Sequence, residues 1–336
     1  MSDQMIKVDR VLKELSELWV SLGKEGENKG GVLRACAMTL VVVADAKEDP
    51  MDVGETIANL MRDHPSRAIV VRVTDGDEKA LGARVFAQCW MPFGQRQQIC
   101  CEQIEITADR NSLNEVAPVL DPLTVPDLPV ILWCREPALL RNPGFERLNR
   151  VAGKLIVNST TFETEEGPLE LVAHLIKSRL VADLAWTRLT RWREMIAQVF
   201  ENPAYGGCMK EIQTIRIHHA GDVAPTTAYY MSAWLQDGLK SVGADPKIEF
   251  QRAKSEAKRG IEGIALDCAE GEGVHLSIRK ADSGVEINVN DLINRVMFEP
   301  LTDYQLLLEE LTIAGRDPVF ERTLQSAIRV AQSMKQ

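Results

Sequence analysis

The hydrophobic positions along this chain follow two spacings, one typical of strands buried on both faces and one typical of amphipathic helices. The run RACAMTLVVVA at 34–44 is almost continuously apolar and predicts a buried strand. Val11, Leu15, Leu18 and Leu22 instead recur at helical spacing. The first half is predicted to contain helices at 1–22, 52–62 and 113–120, and strands at 34–44, 68–73, 83–90, 97–107, 126–134 and 154–160.

In the second half, long helical patterns precede a series of neighbouring strands. Gly243 is placed to end a helix in this half. In the first half, the connection between 90 and 97 is short enough for a hairpin. The second half is predicted to contain helices across 165–201, at 226–243 and at the C-terminus, and strands at 211–221, 247–252, 261–269, 274–281 and 285–290.

These elements predict an α/β (α+β) fold of two mixed-sheet domains. Each half runs strand, helix and strand, then a meander of strands, with packed helices. At 336 residues the chain exceeds the roughly 100–200 residues of an ordinary domain. We expect an N-terminal helix and flexible linker over 1–32, a first domain over 33–163 and a second over 164–336. An ancient duplication would explain the similar halves, although no residue-level repeat is visible.

Charge and composition narrow the class of partner. The formal net charge is -10, and neither half has an excess of Lys and Arg, so a nucleic-acid partner is not expected. The charged N-terminus lacks a signal-peptide core, and no apolar run approaches the roughly 20 residues of a membrane span. Seven cysteines, an odd number, argue against a disulfide framework. The sequence therefore predicts a cytosolic protein, with no membrane partner and with reduced thiols.

The strongest enzyme motifs are missing from the sequence. The glycine-rich stretch 23–31 lacks G-x-G-x-x-G spacing and precedes a strand, so it could not present a helix N-terminus to a pyrophosphate. The Walker motif, the G-x-S-x-G elbow, H-E-x-x-H and paired C-x-x-C are absent too.

Adjacent cysteines in QICCEQIEIT could indicate a redox switch, a metal site or a nucleophile. Neighbouring strand residues face opposite sides of a sheet, so a bond between Cys100 and Cys101 is not expected. A buried, small apolar role is the interpretation we favour. Cys89 on the preceding strand could lie opposite Cys100, which leaves a redox pair open. Glu102 has no nearby histidine that would help to form a thiolate.

Two further clusters each have a structural and a functional interpretation. His218 and His219 are adjacent in a predicted strand, so one metal ion could not easily bind both. The HPSR segment at 64–67 could be a turn that ends a helix, or it could hold an anion or a partner's carboxylate.

The segment 183–201 contains two tryptophans and three arginines around an apolar helical stripe. Trp and Arg are enriched at the energetic centres of protein interfaces, which favours a docking surface. A core helix whose arginines extend to nearby carboxylates explains the same periodicity equally well.

Four segments, in their order and spacing, resemble the OpcA family of glucose-6-phosphate dehydrogenase assembly proteins. The resemblance covers roughly residues 33–300 and implies two domains that meet near 160–165. The segments are HPSR (64–67), CCEQIEI (100–106), PDLPVILWCREP (126–137) and DLAWTRLTRWREMIAQVFE (183–201).

The resemblance implies a non-catalytic allosteric activator that binds glucose-6-phosphate dehydrogenase, promotes its active oligomer and raises flux through the oxidative pentose phosphate pathway. It supplies no catalytic residue, cofactor or metal ligand to carry over. In some members, cysteines are suspected of coupling activation to redox state, which here would concern Cys89, Cys100, Cys101 and Cys134. The motif positions that could form an interface are His64, Ser66, Arg67, Glu102, Gln103, Asp127, Trp186, Arg188, Trp192, Arg193 and Glu194.

Two other functions remain open at this stage. The first is an enzyme or sensor in which the arginines of HPSR and RWRE gather around a sugar phosphate. Convergence of His64, Arg67, Arg188 and Arg193 in one pocket would favour it, and separate ion pairs would weaken it. The second is a structural scaffold for other pentose phosphate enzymes.

Overall fold

The computed structural model of the protein describes residues 7–26, 31–76, 81–93, 97–162, 167–257, 259–268, 274–281 and 284–335. The chain divides into two compact units. Unit 1 comprises Met1–Asn158, Arg179–Ala182 and Asp303–Thr312. Unit 2 comprises Ser159–Ser178, Asp183–Thr302 and Ile313–Gln336.

Unit 1 contains a sheet flanked by helices. Its strands are β1 (Val32–Arg34), β2 (Met38–Asp45), β3 (Ser66–Thr74), β4 (Leu81–Trp90), β5 (Gln98–Asp109), β6 (Val130–Cys134), β7 (Lys154–Val157) and β8 (Leu180–Asp183, whose last residue belongs to unit 2). Its helices are α1 (Val8–Gly26), α2 (Pro50–Asp63), α3 (Leu113–Leu123), α4 (Pro143–Asn149) and α10 (Asp303–Thr312).

Unit 2 contains the second sheet and the remaining helices. Its strands are β9 (Ile212–Ala220), β10 (Lys247–Arg252), β11 (Gly260–Cys268), β12 (Leu276–Ala281), β13 (Gly284–Val289) and β14 (Leu292–Met297). Its helices are α5 (Pro168–Leu175), α6 (Leu184–Thr187), α7 (Thr190–Glu201), α8 (Pro203–Gly206), α9 (Thr226–Ser241) and α11 (Pro318–Ser333).

The sheet of unit 1 runs in the order β1-β5-β3-β2-β6-β7-β8, with β4 pairing antiparallel to β5. The pairs from β1 through β7 along this order are parallel. The six strands from β5 to β8 have the 3-2-1-4-5-6 order of dinucleotide-binding folds, in which ligands bind where the strand order reverses. In this protein that position lies between the carboxyl ends of β2 and β6.

Helix α2 shows how local sequence positions the elements of unit 1. The Asp49 side chain accepts a hydrogen bond from the Met51 amide, and Pro50 occupies the first turn, so both residues favour a helix start there. Ile57 and Leu60 are fully buried on the face toward the sheet. Burial of each such side chain contributes roughly 1.5–3 kcal/mol.

The sheet of unit 2 runs in the order β10-β9-β11-β12-β13-β14. β9 and β10 are parallel, and the other neighbours are antiparallel. Helix α9 packs against β9, β10 and β11, with Tyr230 and Met231 fully buried. Together the two sheets confirm the predicted mixed α/β fold.

Two predictions about elements are wrong, and the strand β14 was not predicted. The run predicted as one strand at 34–44 is divided, because β1 pairs with β5 whereas β2 pairs with β3 and β6. The helical region predicted across 165–201 contains the strand β8. The strand β14 is an additional hairpin partner of β13, joined through Asn290 and Asp291, which both have positive φ. The strand β8 was missed because a short, continuous apolar run has no periodicity that distinguishes a buried strand from a helix.

The predicted N-terminal helix lies at Val8–Gly26, and residues 1–6 and 27–30, which include part of the predicted linker, lie outside the described residues. Among the helices that the structure describes, none combines the length and apolar character needed to cross a membrane.

Candidate functional site

Cys89 and Cys100 form a disulfide across the β4–β5 hairpin. The two residues are in register on antiparallel strands, with their Cα atoms 4.1 Å apart. The expectation of reduced thiols is therefore wrong for this pair. Of the interpretations of Cys100, the structure agrees with the one in which Cys89 is its partner on the neighbouring strand. The register that brings the two sulfurs together is set by hairpin pairing and could not be read from the sequence. A regulatory role for this bond stays a prediction.

Two buried thiols of unit 1, Cys101 and Cys134, are poor nucleophiles. Cys101 faces away from the disulfide and is fully buried, and burial raises the pKa of its thiol to about 11. Burial likewise raises the pKa of the Cys134 thiol. Because the thiolate is the reactive form, neither side chain has the low pKa of a catalytic cysteine.

Glu102 is the centre of a buried charge cluster in unit 1. Only 3 % of the residue is exposed, and its carboxylate accepts hydrogen bonds from the Arg67 guanidinium and the Trp19 indole N–H and pairs with Arg34. Arg67 is also buried and donates a second hydrogen bond to the Leu123 carbonyl at 2.7 Å. Two of the motif segments that the sequence singled out, HPSR and CCEQIEI, therefore meet in one ion pair.

The other motif residues of unit 1 lie at a helix end, inside strands or in a turn. His64 follows the last residue of α2, and its backbone N–H donates to the Leu60 carbonyl. Ser66 and Gln103 are buried in β3 and β5. Asp127 is exposed in the turn before β6, with φ of 63°. The HPSR segment thus ends α2 and begins β3, and its arginine binds an internal carboxylate.

At the strand-order reversal of unit 1, charged side chains of the chain itself occupy the carboxyl ends of β2 and β6. Arg135 follows β6, and its Nε atom lies 2.7 Å from the Glu48 carboxylate. Its Nη1 atom pairs with Asp303 at 2.5 Å, and its guanidinium lies over the Trp133 ring at 4.6 Å. Sequence analysis missed this cluster because Glu48, Arg135 and Asp303 are far apart along the chain.

These residues do not fit a dinucleotide. A pyrophosphate would need a glycine-rich turn after β2 and free N–H groups at the start of α2. The segment after β2 reads AKEDP, and the Asp49 carboxylate already caps the helix. An acidic cap and the Glu48 carboxylate would repel phosphate oxygens at this position.

Asp183 is the centre of a second buried cluster, in unit 2. Its Oδ1 atom accepts hydrogen bonds from the backbone amides of Ser159 and Ala185, at 2.9 and 3.0 Å. Its Oδ2 atom accepts one from the Tyr230 hydroxyl at 2.9 Å. The residue is fully buried, and desolvation raises the pKa of its carboxyl above the ordinary value, although the hydrogen bonds act in the opposite direction.

The two tryptophans of the 183–201 motif lie inside unit 2. Trp186 is 3 % exposed, donates to Asp317 at 3.1 Å and packs against Tyr230. The Arg193 guanidinium lies 3.6 Å from the Trp186 ring centroid. Trp192 is 4 % exposed and contacts a neighbouring phenylalanine ring. So little of either indole is exposed that a protein partner could not use it as a docking surface, so the core interpretation describes them.

The remaining polar motif residues of unit 2 lie nearer the surface. Glu194 is exposed, and Arg188 is half-buried and donates to the Leu301 carbonyl at 3.1 Å. His219 is buried and His218 half-buried on the opposite side of β9, as expected for neighbours in a strand. Desolvation, with a smaller contribution from the Arg279 and Arg216 charges, lowers the pKa of His218.

Strand β14 presents apolar side chains to solvent at the end of the unit 2 sheet. Leu292, Ile293, Val296 and Met297 are 63, 55, 44 and 77 % exposed. β13 is the neighbour of β14 on one side, and β14 is the last strand in the order of the described sheet. Exposed apolar edge strands are characteristic of protein-binding surfaces.

Comparison with known families gives matches over most of the chain. The sequence model for the glucose-6-phosphate dehydrogenase subunit N-terminal domain, of the OpcA type, matches residues 58–174. The sequence model for the C-terminal domain of the same subunit matches residues 179–324. The two matches follow each other along the chain in their natural order.

Curated relatives carry the same family name. An OxPP cycle protein OpcA of Synechocystis sp. is 31 % identical over 193 residues, which are 56 % of this chain and 39 % of the relative. An OxPP cycle protein OpcA of Nostoc punctiforme is 28 % identical over 182 residues, which are 53 % of this chain and 38 % of that protein. The chain thus matches less than half the length of these relatives.

A solved structure shares the fold. An oxidoreductase from Sinorhizobium meliloti aligns with a TM-score of 0.52 at 8 % sequence identity, covering 90 % of this chain and 97 % of that one. At this identity the likeness concerns the arrangement of strands and helices alone.

Proposed function

The chain belongs to the OpcA family of glucose-6-phosphate dehydrogenase subunits, and from that premise we propose that it is a non-catalytic assembly protein of glucose-6-phosphate dehydrogenase. In this proposal the protein binds the enzyme, favours its active oligomer and raises flux through the oxidative pentose phosphate pathway. The observation that carries the proposal is the consecutive match of both domain models of that subunit.

The proposed mechanism is thermodynamic linkage. A protein that binds the active assembly more tightly than the inactive one shifts the equilibrium between them by its difference in binding free energy. A difference of about 1–3 kcal/mol changes the ratio of the two states roughly 5- to 150-fold. Activation of this size needs no chemical group from the activator.

The charged cluster at the strand-order reversal supports a non-catalytic role. In folds with this strand order, the crevice at that position holds the ligand. Here Glu48, Arg135 and Asp303 occupy it with ion pairs, and Asp49 caps the helix that would otherwise face a phosphate. The chain therefore retains the strand order of a dinucleotide-binding domain with a site chemistry that disfavours the nucleotide.

We place the contact with the dehydrogenase on the edge strand β14. Its backbone can extend a sheet by pairing with a strand of the partner, and its apolar side chains can bury surface in the same complex. Ile293 and Met297 lie on one face of the strand, since alternate strand residues point the same way.

The alternative function, a sugar-phosphate enzyme or sensor built on the motif arginines, has less support. Arg67 belongs to unit 1 and binds Glu102, whereas Arg193 belongs to unit 2 and stacks on Trp186. These two arginines thus contact different partners, which is the arrangement expected to weaken this function.

The test is a titration of glucose-6-phosphate dehydrogenase from the same organism with the purified chain. We expect a lower apparent KM or a higher rate at saturating amounts, together with a co-eluting complex in size-exclusion chromatography. An unchanged rate and no complex, under both reducing and oxidising conditions, would refute the assembly role.

A pair of variants tests the contact surface separately. Leu292→Lys combined with Ile293→Lys should abolish the complex, because each ammonium would have to be desolvated at the interface. Val223→Lys is the matched control, since Val223 is 78 % exposed in unit 2 and lies outside the sheet. If the β14 variant binds the dehydrogenase as tightly as Val223→Lys does, β14 is not the contact surface. That result would not contradict the assembly role.

A further inference from the structure

Unit 2 contains a cavity of about 720 Å³ that the assembly role does not use. Its size lies within the roughly 300–1,000 Å³ of small-molecule sites. Its wall combines the start of helix α9, the segment before β11, parts of β12 and the segment after β14. The described residues that line it are mostly apolar, and they also include three cationic side chains, two threonines and one carboxylate.

The N-terminus of α9 contributes polar groups to this cavity. Pro225 precedes the helix and provides no side-chain acceptor for its first amides. The Thr226 hydroxyl donates to the Ser159 carbonyl at 3.2 Å, whereas the Thr227 hydroxyl, 97 % buried, has no hydrogen-bond partner within the described structure. Thr227 lines the cavity. A buried hydroxyl without a partner at a helix N-terminus is suited to an anion.

Three cationic side chains line the same cavity. The Arg188 guanidinium donates to the Leu301 carbonyl at 3.1 Å, and the Arg259 guanidinium donates to the Thr160 carbonyl at 2.9 Å. These bonds to fixed backbone carbonyls orient both groups along the wall. The Lys280 ammonium pairs with Glu262 at 2.8 Å and lies 3.9 Å from where a Cβ would stand on Gly260.

The wall of the cavity carries charged side chains of both signs. The cavity is lined by three cations and by the Glu299 carboxylate, and one of the cations, Lys280, is paired with Glu262. Arginine side chains match the oxygens of a phosphate with paired N–H donors. The described lining residues therefore include two guanidinium groups, of a kind suited to phosphate oxygens.

Apolar side chains form another part of the wall. Trp192 and Phe298 contact each other edge to face, with ring centroids 5.4 Å apart, and both line the cavity with Ile261. A free phosphate ion would leave this surface uncovered. A ligand that carries a phosphate and a ring-sized body would contact both surfaces.

We propose that this cavity is a binding site for a small organic phosphate, whose phosphate group is bound by the α9 N-terminus, Thr227 and Arg259 and whose body packs toward Trp192 and Phe298. A ligand of this class would make the protein responsive to a metabolite. The inference rests on the cavity alone and does not depend on the proposed assembly role, so either can fail without the other.

The test is isothermal titration of the full chain with glucose 6-phosphate, AMP and inorganic phosphate, each up to millimolar concentration. We expect saturable binding of at least one organic phosphate, tighter than that of inorganic phosphate. Arg259→Gln and Thr227→Val should each weaken that binding at least tenfold, because each removes a polar partner of the phosphate. Absence of saturable binding by both organic phosphates would overturn the proposal.

A matched variant distinguishes binding at the cavity from a general effect of removing a positive charge. Arg252→Gln removes an exposed arginine of the same unit that pairs with Asp222 away from the cavity, and it should leave binding unchanged. Thermal unfolding shows whether each variant is folded, and Lys280→Gln replaces any variant that is not. Equal losses for Arg252→Gln and Arg259→Gln, or inorganic phosphate binding as tightly as the organic phosphates, would contradict the assignment.

Discussion

Unit 1 and unit 2 each bury a carboxylate, and they stabilise it in opposite ways. In unit 1, Glu102 is bound by two guanidinium groups and an indole N–H. In unit 2, Asp183 is bound by two backbone amides and the Tyr230 hydroxyl. Ion pairs hold Glu102, whereas neutral donors hold Asp183 against a desolvation that favours its protonated form.

Because they are held by different kinds of partner, the Glu102 cluster and the Asp183 cluster have different roles in the fold. Glu102 and Arg67 need each other, because either charge alone would be buried without compensation. Asp183 connects the amide of Ser159, the start of α6 and helix α9 with directional hydrogen bonds. Both clusters therefore organise a unit from within, which leaves exposed strands and open cavities as the surfaces available to partners.

The largest expected effect comes from removing the charge of Glu102. Glu102→Gln leaves the Arg67 guanidinium buried beside a neutral amide and should lower the free energy of unfolding by about 3–5 kcal/mol. Urea denaturation measures the change. Glu14→Gln removes an exposed pair with Arg10 and should cost less than about 1 kcal/mol. If both variants cost the same, Glu102 is not held by buried ion pairs.

A smaller effect is expected from the disulfide beside the Glu102 cluster. Reduction of the Cys89–Cys100 bond opens a short loop, since the residues are 11 apart in sequence, and should lower the free energy of unfolding by about 2–3 kcal/mol. Denaturation with and without reductant measures it. In Cys89→Ser the reductant should have no further effect. If reductant lowers the free energy of unfolding of Cys89→Ser as much as that of the wild type, the stabilisation comes from another cysteine.

The smallest effect is a pH dependence that belongs to Asp183. Burial raises the pKa of its carboxyl above the ordinary 3.8, so the folded state binds this proton more tightly than the unfolded state. Its contribution to stability is present below about pH 4 and is lost as the pH rises through the raised pKa. The stability of the wild type relative to Asp183→Asn should therefore fall with rising pH, by up to about 1.4 kcal/mol per pH unit.

A control of opposite sign is available in unit 1. The Arg110 and Lys47 side chains lower the pKa of the exposed Asp75 carboxyl. The stability of the wild type relative to Asp75→Asn should therefore rise with pH through the acid range. Denaturation curves between pH 3.5 and 7 give both slopes, and a difference for Asp183→Asn that stays flat would show that its carboxyl is ionised without cost.

Much of the fold was predictable where the chain has a clear period or a clear signal. Helix α2, strand β3 and the β4–β5 hairpin lie where the apolar spacing, Pro50 and the short connection predict them. The resemblance of the four motifs to the OpcA family is confirmed by the domain matches. The candidate sites were less predictable, since Trp186 and Trp192 have a composition typical of interfaces and yet are buried.

By itself the sequence determined the elements with strong local signals, the lack of known catalytic motifs and the family. Only the tertiary structure decided which residue Cys89 faces, that Arg67 binds Glu102, that Arg135 joins Glu48 to Asp303, and that Thr227, Arg188 and Arg259 line one cavity. The physical reason is range. Helix and strand preferences act over a few neighbouring residues, whereas pairing register and side-chain contacts depend on segments that folding brings together from distant parts of the chain.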